Sequence, residues 1–344
     1  MVTPREMGYA FPAEWARHDA CYTAWPAHEY AWGSQLAAAQ REFTTFARAF
    51  AAGKGQEPLL VLVDPAFLEQ ARATLAPDDR QLVLVPHAYG DVWLRDTGPL
   101  FVRGTAGRAS VRFAFNGWGE KYIYPHDAEL SAKLAALRDE PSFAFDWVLE
   151  GGALDADGEG TMLTTRSCLL NANRSGPGDE AVMEDRLADA LGIRKLLWLD
   201  EGLANDHTDG HIDNVARFVA PGIVVCMQAH DADDPNAATL EAIARALEAM
   251  IDARGRRLQV LRIPSPGRVL GADGQVVPAS HMNFYIGNAR VLLPVFGTRW
   301  DTLACRALRA IFKDREVVAC PARALLEGGG TFHCMTQQLP SAKP

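Results

Sequence analysis

The sequence lacks several features that would place it in common classes of protein. No apolar run approaches the ~20 residues that a membrane-spanning helix requires. Its first 20 residues contain acids, prolines and a tryptophan instead of a basic and then an apolar stretch, so we expect no secretory signal and a cytoplasmic location. No cluster of lysine and arginine follows one face of a predicted helix, and the net charge is -9 from 34 basic and 43 acidic residues. We therefore expect no nucleic-acid partner.

Cysteine pairs with metal-binding spacing are also absent. The six cysteines are scattered without a C-x-x-C pair, which argues against a structural zinc site and against a disulfide framework. Cys168, Cys226 and Cys320 stand in apolar runs, where a thiol is usually a small core residue. Cys334 differs, because it follows three glycines at 328–330 and a histidine. Glycine loses the most entropy on ordering, so we interpret this segment as a sharp turn that presents a nucleophile.

The hydrophobic pattern predicts strands and helices that alternate along the whole chain. Hydrophobic residues make up 48% of the 344 residues and charged residues 22%, as in a globular protein with a sizeable core. Short β-branched runs predict strands at 59–64, 81–86, 111–115, 143–149, 195–199, 223–227, 258–263, 291–295 and 316–319. Other stretches predict helices near 34–52, 66–75, 128–137, 179–191, 236–254 and 300–312. No linker interrupts them, so we expect one α/β domain over 1–344.

A short tetrapeptide occurs twice in the chain. The sequence Leu-Glu-Gly-Gly stands at 149–152 and again at 326–329, each time after an apolar run. Chance could produce two such matches in a chain with 29 glycines. A strand–helix unit repeated around an axis would bring such turns to one common centre.

Polar residues next to glycine or proline recur in four segments, 93–99, 150–152, 209–213 and the turn at Cys334. Together they supply a thiol, an imidazole and at least three carboxylates. A guanidinium group is planar and cationic, and two carboxylates at its edges would fix its plane and neutralise its charge. A thiolate could then attack the central carbon. A cationic neighbour, either an imidazolium or the substrate, would lower the pKa of that thiol.

One histidine can protonate the departing ammonia and later deprotonate a water. His211 is our candidate, because His211 and Asp213 are two residues apart and would point to the same side of a strand. His207 and His333 are alternatives. We expect His207 in a loop and, if its segment is extended, His333 on the face opposite Cys334.

Six segments resemble the agmatine deiminases, a family of the guanidino-group-modifying superfamily. They are W-L-R-D-T-G-P (93–99), F-N-G-W-G-E-K-Y (115–122), L-E-G-G (149–152), T-D-G-H-I-D-N (208–214), N-F-Y-I-G-N (283–288) and G-G-G-T-F-H-C-M-T-Q-Q (328–338). The segments occur in family order, and the resemblance extends from residue 7 to residue 338. It therefore covers nearly the whole chain.

This resemblance implies a five-bladed α/β propeller, the pentein fold, in which ββαβ units surround a pseudo-fivefold axis. It implies hydrolysis of agmatine to N-carbamoylputrescine and ammonia with no metal and no organic cofactor, and a homodimer. The implied catalytic residues are the nucleophile Cys334, the acid and base His211, the guanidinium clamps Asp96 and Asp213, and Glu150, which supports His211. The expected substrate contacts are Trp93 and Trp118 along a channel, with Asp209, Asn283, Gly329 and Gly330.

The chain departs from the usual family pattern at Glu120, His281 and Glu327. We expect these three residues along the substrate channel and not at the clamp. They bear on which amine is bound more than on which reaction is catalysed.

Three other functions stay open at this point. An arginine or peptidyl-arginine deiminase would use the same site, but its substrates call for a cationic anchor, and Lys121 is the only nearby base in the aromatic segment 115–122. A metal hydrolase would take its ligands from Asp209, His211, Asp213 and Glu150. No H-E-x-x-H or similar spacing supports that hypothesis. A non-catalytic polyamine- or guanidine-binding protein would leave Cys334 without a role.

Overall fold

The computed structural model describes residues 2–77, 80–175 and 178–342. Its strands are β1 (His18–Ala24), β2 (Leu59–Val63), β3 (Leu82–Pro86), β4 (Leu100–Gly104), β5 (Gly107–Ala114), β6 (Ser142–Val148), β7 (Asp155–Ala156), β8 (Thr161–Thr165), β9 (Lys195–Leu199), β10 (Ala216–Ala220), β11 (Ile223–Gln228), β12 (Gln259–Pro264), β13 (Tyr285–Ile286), β14 (Arg290–Val295), β15 (Glu316–Pro321) and β16 (Gln337–Pro340).

The helices are α1 (Glu29–Trp32), α2 (Leu36–Ala51), α3 (Leu68–Leu75), α4 (Leu94–Thr97), α5 (Gly117–Glu120), α6 (Asp127–Ala136), α7 (Arg166–Leu169), α8 (Ala172–Ser175), α9 (Glu180–Leu191), α10 (Ala237–Ala249), α11 (Asp301–Ile311) and α12 (Arg323–Glu327). Four 3-10 turns, Gly33–Gln35, Pro65–Phe67, Gly151–Ala153 and Ile212–Asn214, complete these elements. Across the described ranges, none of the helices combines the length and the apolar character that crossing a membrane would demand.

The strands form five small sheets of the same construction. In the sheets β4-β5-β6, β7-β8-β9, β10-β11-β12 and β13-β14-β15, the first two strands are antiparallel and the third is parallel to the second. The fifth sheet, β16-β1-β2-β3, follows the same order and adds β3. A helix connects the second strand of each unit to its parallel partner, as a parallel crossover requires. The predicted α/β propeller of five ββαβ units is confirmed.

The last strand pairs with the first, which closes the ring of sheets. Cys21 of β1 lies opposite Gln338 of β16, and β1 is also hydrogen-bonded to β2. Separate domains would not require this pairing between the two ends of the chain. The single domain over residues 1–344 stays a prediction that the closure supports.

All nine predicted strands and six predicted helices are present, with ends that differ by at most five residues. Seven strands lie outside the predicted set, namely β1, β4, β7, β8, β10, β13 and β16. Five of them are the first strand of their unit, and β7 and β13 have only two residues each, too few for an alternating pattern. Strand β8 is buried at all five positions, so it shows no alternation either.

Helix α2 anchors the turn that carries Cys334. One face of α2 is apolar, with Ala39, Phe43, Phe46, Ala47 and Phe50 buried at three- and four-residue spacing. The ring of Phe46 lies 4.8 Å, centroid to centroid, from the ring of Phe332. Phe332 is fully buried two residues before Cys334. The largest hydrophobic cluster therefore fixes the position of the candidate nucleophile.

Arg217 on β10 is fully buried and joins three parts of the ring. Its guanidinium group bonds the carboxylate of Glu14, and its Nε lies 2.9 Å from Oδ1 of Asp155 on β7. Its Nη1 donates to the carbonyl oxygens of Met282 and Phe284, at 3.2 and 2.8 Å. Removing one partner from such a buried network leaves the other charges uncompensated.

We expect Arg217→Met to lower the free energy of unfolding by about 3–5 kcal/mol, because Asp155 and Glu14 would both lose their arginine partner in the buried interior. Urea unfolding followed by tryptophan fluorescence measures this change. The matched control is Arg245→Met, since the Arg245 side chain is 75% exposed and its pair with Glu241 lies at the surface. Equal stability of the two variants would show that the Arg217 network does not hold the units together.

Candidate active site

Each of the five units contributes one segment of the site, immediately before its first strand. Asp96 precedes β4, Glu150 precedes β7, His211 and Asp213 precede β10, Asn283 precedes β13, and Cys334 precedes β16. The repeated tetrapeptide at 149–152 and 326–329 belongs to two of these connections. Because equivalent connections of the five units meet at the centre of the ring, distant parts of the sequence reach one place.

Cys334 is held in the predicted turn, at residues 332–335 between α12 and β16. The thiol is buried, with the residue 5% exposed. A Cβ added at Gly330 would lie 2.8 Å from Cβ of Cys334 and 2.9 Å from Cζ3 of Trp93. Only glycine fits between the cysteine and this indole. Gly330, expected as a substrate contact, therefore allows the nucleophile turn to pack against Trp93.

Asn283 and Asp213 both contact the thiol. Nδ2 of Asn283 lies 3.0 Å from Sγ of Cys334, and its Oδ1 accepts hydrogen bonds from the N–H groups of His333 and Cys334 at 3.1 and 3.3 Å. Asn283, expected as a substrate contact, instead uses both ends of its amide to position the nucleophile. Sγ of Cys334 donates to Oδ2 of Asp213 at 3.5 Å.

The surroundings of Cys334 keep its thiol protonated. Burial raises the pKa of the Cys334 thiol well above its ordinary range, and the carboxylates of Asp213 and Asp96 add to that effect. The charged groups with the strongest influence are therefore both anions. A thiol in this state is a weak nucleophile until a cation approaches it.

Asp96 and Asp213 approach a common point next to Gly152. A Cβ added at Gly152 would lie 2.5 Å from Nδ1 of His211, 3.0 Å from Oδ1 of Asp96 and 3.1 Å from Oδ2 of Asp213. The carboxylate of Asp96 accepts hydrogen bonds from N–H of Gly152 at 2.8 Å and from Nε1 of Trp118 at 2.9 Å. Asp96 is 6% exposed and Asp213 is fully buried. Two carboxylates and one imidazole thus converge in a site without bulk water.

His211 lies between two carboxylates. Its Nδ1 is 3.8 Å from Oδ2 of Asp96, and its Nε2 is 3.7 Å from Oε2 of Glu150. Burial by itself disfavours the imidazolium, but Asp96, Cys168 and Glu150 raise the pKa of His211 well above its ordinary value. These groups favour the imidazolium form of His211, which can donate a proton.

The expected placement of His211 and Asp213 side by side on a strand is wrong. His211 precedes the 3-10 turn Ile212–Asn214, and the two side chains meet only beside Gly152. Nδ1 of His333 lies 2.8 Å from Oδ2 of Asp213. The same oxygen contacts Cys334, so the expectation that His333 points away from the cysteine is also wrong. That expectation assumed an extended chain where the structure has a turn.

Arg174 links Glu150 to Asp209. Its Nε lies 2.8 and 3.2 Å from the two carboxylate oxygens of Glu150, and its Nη1 lies 2.5 Å from Oδ2 of Asp209. Asp209 also accepts hydrogen bonds from Lys121 at 2.7 Å and Asn173 at 3.0 Å. Asp209, expected as a substrate contact, therefore faces Arg174 instead and fixes Glu150 through it.

A cavity of about 380 Å³ leads from the surface toward this cluster. Aromatic rings form part of its wall, namely those of Trp93, Trp118, Tyr122, Tyr124 and His207, and Gly329 also lines it. The expected channel positions of Trp93, Trp118 and Gly329 agree with this wall, as does the loop position of His207. Trp118 reaches Asp96 from the cavity, and Trp93 reaches the Cys334 turn. None of the described residues that line the cavity is lysine or arginine.

Of the three departures from the family pattern, Glu327 is the one that lines the cavity among the described residues. His281 is fully buried elsewhere, with its ring nitrogens 2.8 Å from the carbonyl oxygen of Pro264 and 2.9 Å from Oδ1 of Asp301. Glu120 is exposed outside the cavity wall. The expectation of a channel position is therefore wrong for His281 and Glu120.

The donor atoms near His211 do not suit a divalent metal. Glu150, Cys168 and His211 offer ligand atoms within 4.8 Å of one another, and within the described ranges neither Asp209 nor Asp213 belongs to such a group. The guanidinium group of Arg174 already neutralises Glu150 at 2.8 Å. A second cation at the same carboxylate would meet direct charge repulsion.

The sequence and the fold both match a known family. The sequence profile of the Porphyromonas-type peptidyl-arginine deiminases matches residues 10–340. The chain belongs to this family. The agmatine deiminase of Stutzerimonas stutzeri (strain A1501) is 38% identical, with 98% of this chain and 97% of that protein covered. The structure of the agmatine deiminase of Enterococcus faecalis superposes with a TM-score of 0.93 at 30% identity, covering 99% of this chain and 98% of that one.

A more distant structure supports the fold alone. DDAH from Pseudomonas aeruginosa is 11% identical and superposes with a TM-score of 0.53, covering 94% of this chain and all of that one. The predicted pentein fold and the resemblance to the agmatine deiminases are both confirmed. The roles of individual residues are not tested by these similarities and stay predictions.

Sequence reasoning missed several charged residues that hold the site. Oε2 of Glu14 lies 2.8 Å from Nε2 of His333, and Glu14 is in turn bonded by Arg217. Arg174 ends the segment C-L-L-N-A-N-R at 168–174. An arginine this close to an apolar run could have indicated a buried charge that pairs with an acid. Glu14 and Asp155 carried no comparable signal, because only the folded ring brings them to the centre.

We expect the Cys334 thiolate of the unliganded enzyme to form only above the ordinary pH range of thiols, because burial and two carboxylates oppose it. The ultraviolet absorbance of the thiolate, taken as the difference between wild type and Cys334→Ser, measures this titration. Asp213→Asn should move the midpoint to lower pH, since it removes an anion from beside the sulfur. A wild-type midpoint at neutral pH would contradict the assignment.

Proposed function

We propose that this chain is an agmatine deiminase, which hydrolyses agmatine to N-carbamoylputrescine and ammonia. The observation that carries the proposal is the contact between Sγ of Cys334 and Oδ2 of Asp213, at a point where Asp96 and His211 also converge. A cavity with aromatic walls and no described lysine or arginine in its lining adjoins that point through Trp93 and Trp118. The relatives that match over nearly their full length are named agmatine deiminases, which supports the same reaction.

Substrate binding activates the nucleophile in this mechanism. The guanidinium group lies between Asp96 and Asp213, whose carboxylates accept its N–H groups and neutralise its charge. The bound cation offsets the anions that raise the pKa of the Cys334 thiol, so the thiolate forms as the substrate arrives. The thiol proton moves first to Oδ2 of Asp213, which the sulfur already faces, and then to solvent.

The first chemical step forms a bond between Sγ of Cys334 and the central guanidinium carbon. His211, which is protonated in the buried site, donates its proton to a terminal nitrogen. The carbon–nitrogen bond then breaks, and ammonia leaves. The remaining group is an amidino-thioether on Cys334, with His211 neutral.

The second step hydrolyses this intermediate. A water gives a proton to the neutral His211 and forms a bond with the amidino carbon. The carbon–sulfur bond breaks, and the proton of the new hydroxyl group passes to the leaving sulfur. This releases N-carbamoylputrescine and returns Cys334 as the thiol of the resting enzyme. Glu150, fixed by Arg174, keeps the imidazole oriented through both proton transfers.

The lining of the cavity argues against arginine and peptidyl-arginine as substrates. Their carboxylate or peptide groups call for a cationic anchor, and no described lining residue is basic apart from His207. Burial lowers the pKa of His207, so its ring is neutral at pH 7. Lys121, the base nearest in sequence, bonds Asp209 and the carbonyl oxygen of His207 instead.

Several finer expectations stay predictions. These are the cytoplasmic location, the homodimer, the independence of metal and organic cofactors, and the absence of a nucleic-acid partner. The net charge of -9 supports the last of them, because a polyanion would be repelled.

Enzyme quenched in acid during turnover of agmatine should carry an amidino group on the peptide that contains Cys334. Liquid chromatography with mass spectrometry detects this mass increase. Cys334→Ser should release no ammonia yet still bind agmatine, because both clamp carboxylates remain. If this variant lost binding and turnover in parallel, Cys334 would be a binding residue and the covalent mechanism would fail.

Asp96→Asn should lower kcat/KM for agmatine roughly 30- to 5,000-fold. This corresponds to a loss of about 2–5 kcal/mol of transition-state stabilisation, because one charge-assisted pair is lost in a desolvated site. Steady-state ammonia release measures this fall. Asp146→Asn is the matched control, since Asp146 is an exposed carboxylate on β6. Kinetics of Asp96→Asn close to those of the control would remove Asp96 from the clamp.

A further inference from the structure

Asp91 is a buried carboxylate that the mechanism above does not use. The residue is 3% exposed, stands between β3 and α4, and lines the aromatic cavity. Its Oδ1 accepts hydrogen bonds from Nε1 of Trp32 at 3.1 Å and from N–H of Val92 at 2.8 Å. Its Oδ2 accepts one from Nε1 of Trp93 at 2.8 Å. Two indoles and one amide thus hold the carboxylate in place.

None of these donors carries a charge. No salt bridge of Asp91 with a lysine, arginine or histidine is present among the described residues, and the backbone N–H of Asp91 donates to Oδ1 of a second buried acid, Asp127, at 3.3 Å. Burial raises the pKa of Asp91 to about 7, despite the three hydrogen bonds. A carboxylate without a cationic partner is costly to bury. A cation bound in the cavity would neutralise the negative charge of Asp91 and lower that cost.

The position of Trp93 relates Asp91 to the nucleophile. The Nε1 edge of this indole bonds Asp91, whereas Cζ3 on the opposite edge lies beside Gly330. A Cβ added at Gly330 would be 2.9 Å from that Cζ3 and 3.0 Å from Sγ of Cys334. The thiol and the unpaired carboxylate therefore stand at opposite edges of one ring. A short alkyl chain lying along the indole would connect them.

The other acids of the cavity are less suited to hold a cation. Asp273 is exposed, and its Oδ1 accepts N–H of Gln275 at 2.9 Å. Glu327 is half-buried, and its Oε1 accepts N–H of Ala272 at 2.9 Å. Water screens both charges more strongly than it screens Asp91.

We propose that Asp91 binds the distal ammonium group of the substrate and thereby restricts this enzyme to guanidines that carry a second cation at the end of a short alkyl chain. This inference rests on the proposed function and assigns the residue that recognises the non-reacting end. The face of Trp93 lies beneath the connecting methylene groups, and the aromatic walls favour both the chain and the ammonium.

The test compares agmatine with n-butylguanidine, which has the same four-carbon chain and no amine. For the wild type, kcat/KM should be about 100-fold higher with agmatine, the effect expected for one buried charge pair. Asp91→Asn should lower kcat/KM for agmatine by a similar factor, while the value for n-butylguanidine stays within about threefold. The preference for the diamine-like substrate should therefore disappear in the variant.

The n-butylguanidine measurement separates recognition from a structural role. If Asp91→Asn lowered kcat/KM equally for both substrates, Asp91 would serve only to hold Trp32 and Trp93, and the inference would be overturned. A larger loss of agmatine turnover in Asp273→Asn than in Asp91→Asn would overturn it in favour of the exposed acid. The wild-type comparison needs no variant, so equal kcat/KM for the two substrates would refute the inference even if Asp91→Asn did not fold.

The same experiment distinguishes this inference from the proposed function. Wild-type enzyme that turned over both guanidines equally through an adduct on Cys334 would retain the deiminase function and lose the role of Asp91. Enzyme that released ammonia from neither compound and formed no adduct would overturn both proposals.

Discussion

Negative charge concentrated around one buried thiol is the constraint on which the rest of the site depends. Asp96, Glu150 and Asp213 are all at least nine-tenths buried. Arg174 neutralises Glu150, and the protonated His211 offsets part of what remains. The site consequently attracts a cation and suppresses the thiolate until the cation arrives. Affinity for the substrate and activation of the nucleophile thus have the same electrostatic origin.

The ring of five units explains how such a cluster can be built. Every unit inserts one connection at the centre before its first strand, so five short segments supply the whole site. Arg217, Glu14 and His333 then bind these segments to one another through buried hydrogen bonds and charge pairs. The catalytic geometry is therefore a property of the closed ring, and no single unit contains it.

Much of this could be predicted from the sequence, because the strands with alternating or β-branched patterns and the glycine-rich turns carry local signals. Cys334, His211, Asp96, Asp213 and Glu150 do come together as expected. Two of the first strands, β7 and β13, have only two residues each, which is too few for a recognisable pattern. Partner choice was also beyond local reasoning, since the pairing of Asp213 with His333 depends on how the turn at 332–335 packs against the segment at 211–213.

Backbone strain was equally inaccessible from sequence alone. Trp118 adopts a left-handed conformation, with φ of 55°, between two glycines that also have positive φ. That conformation directs its indole toward Asp96, where it donates a hydrogen bond. A tryptophan rarely takes this backbone geometry without compensation from its surroundings. The residue type indicated that Trp118 lines the substrate channel. Only the fold shows that its indole also reaches Asp96, one of the two proposed guanidinium-binding carboxylates.

The high pKa of the Cys334 thiol has a consequence for the life of the enzyme in an oxidising cell. Peroxide attacks thiolates and scarcely attacks thiols, so the sulfur of the resting enzyme is a poor target for conversion to sulfenic acid. Vulnerability is confined to the interval in which a guanidine occupies the site, and the guanidine then shields the sulfur physically. Burial among carboxylates is therefore expected to slow oxidation of this cysteine in the resting enzyme.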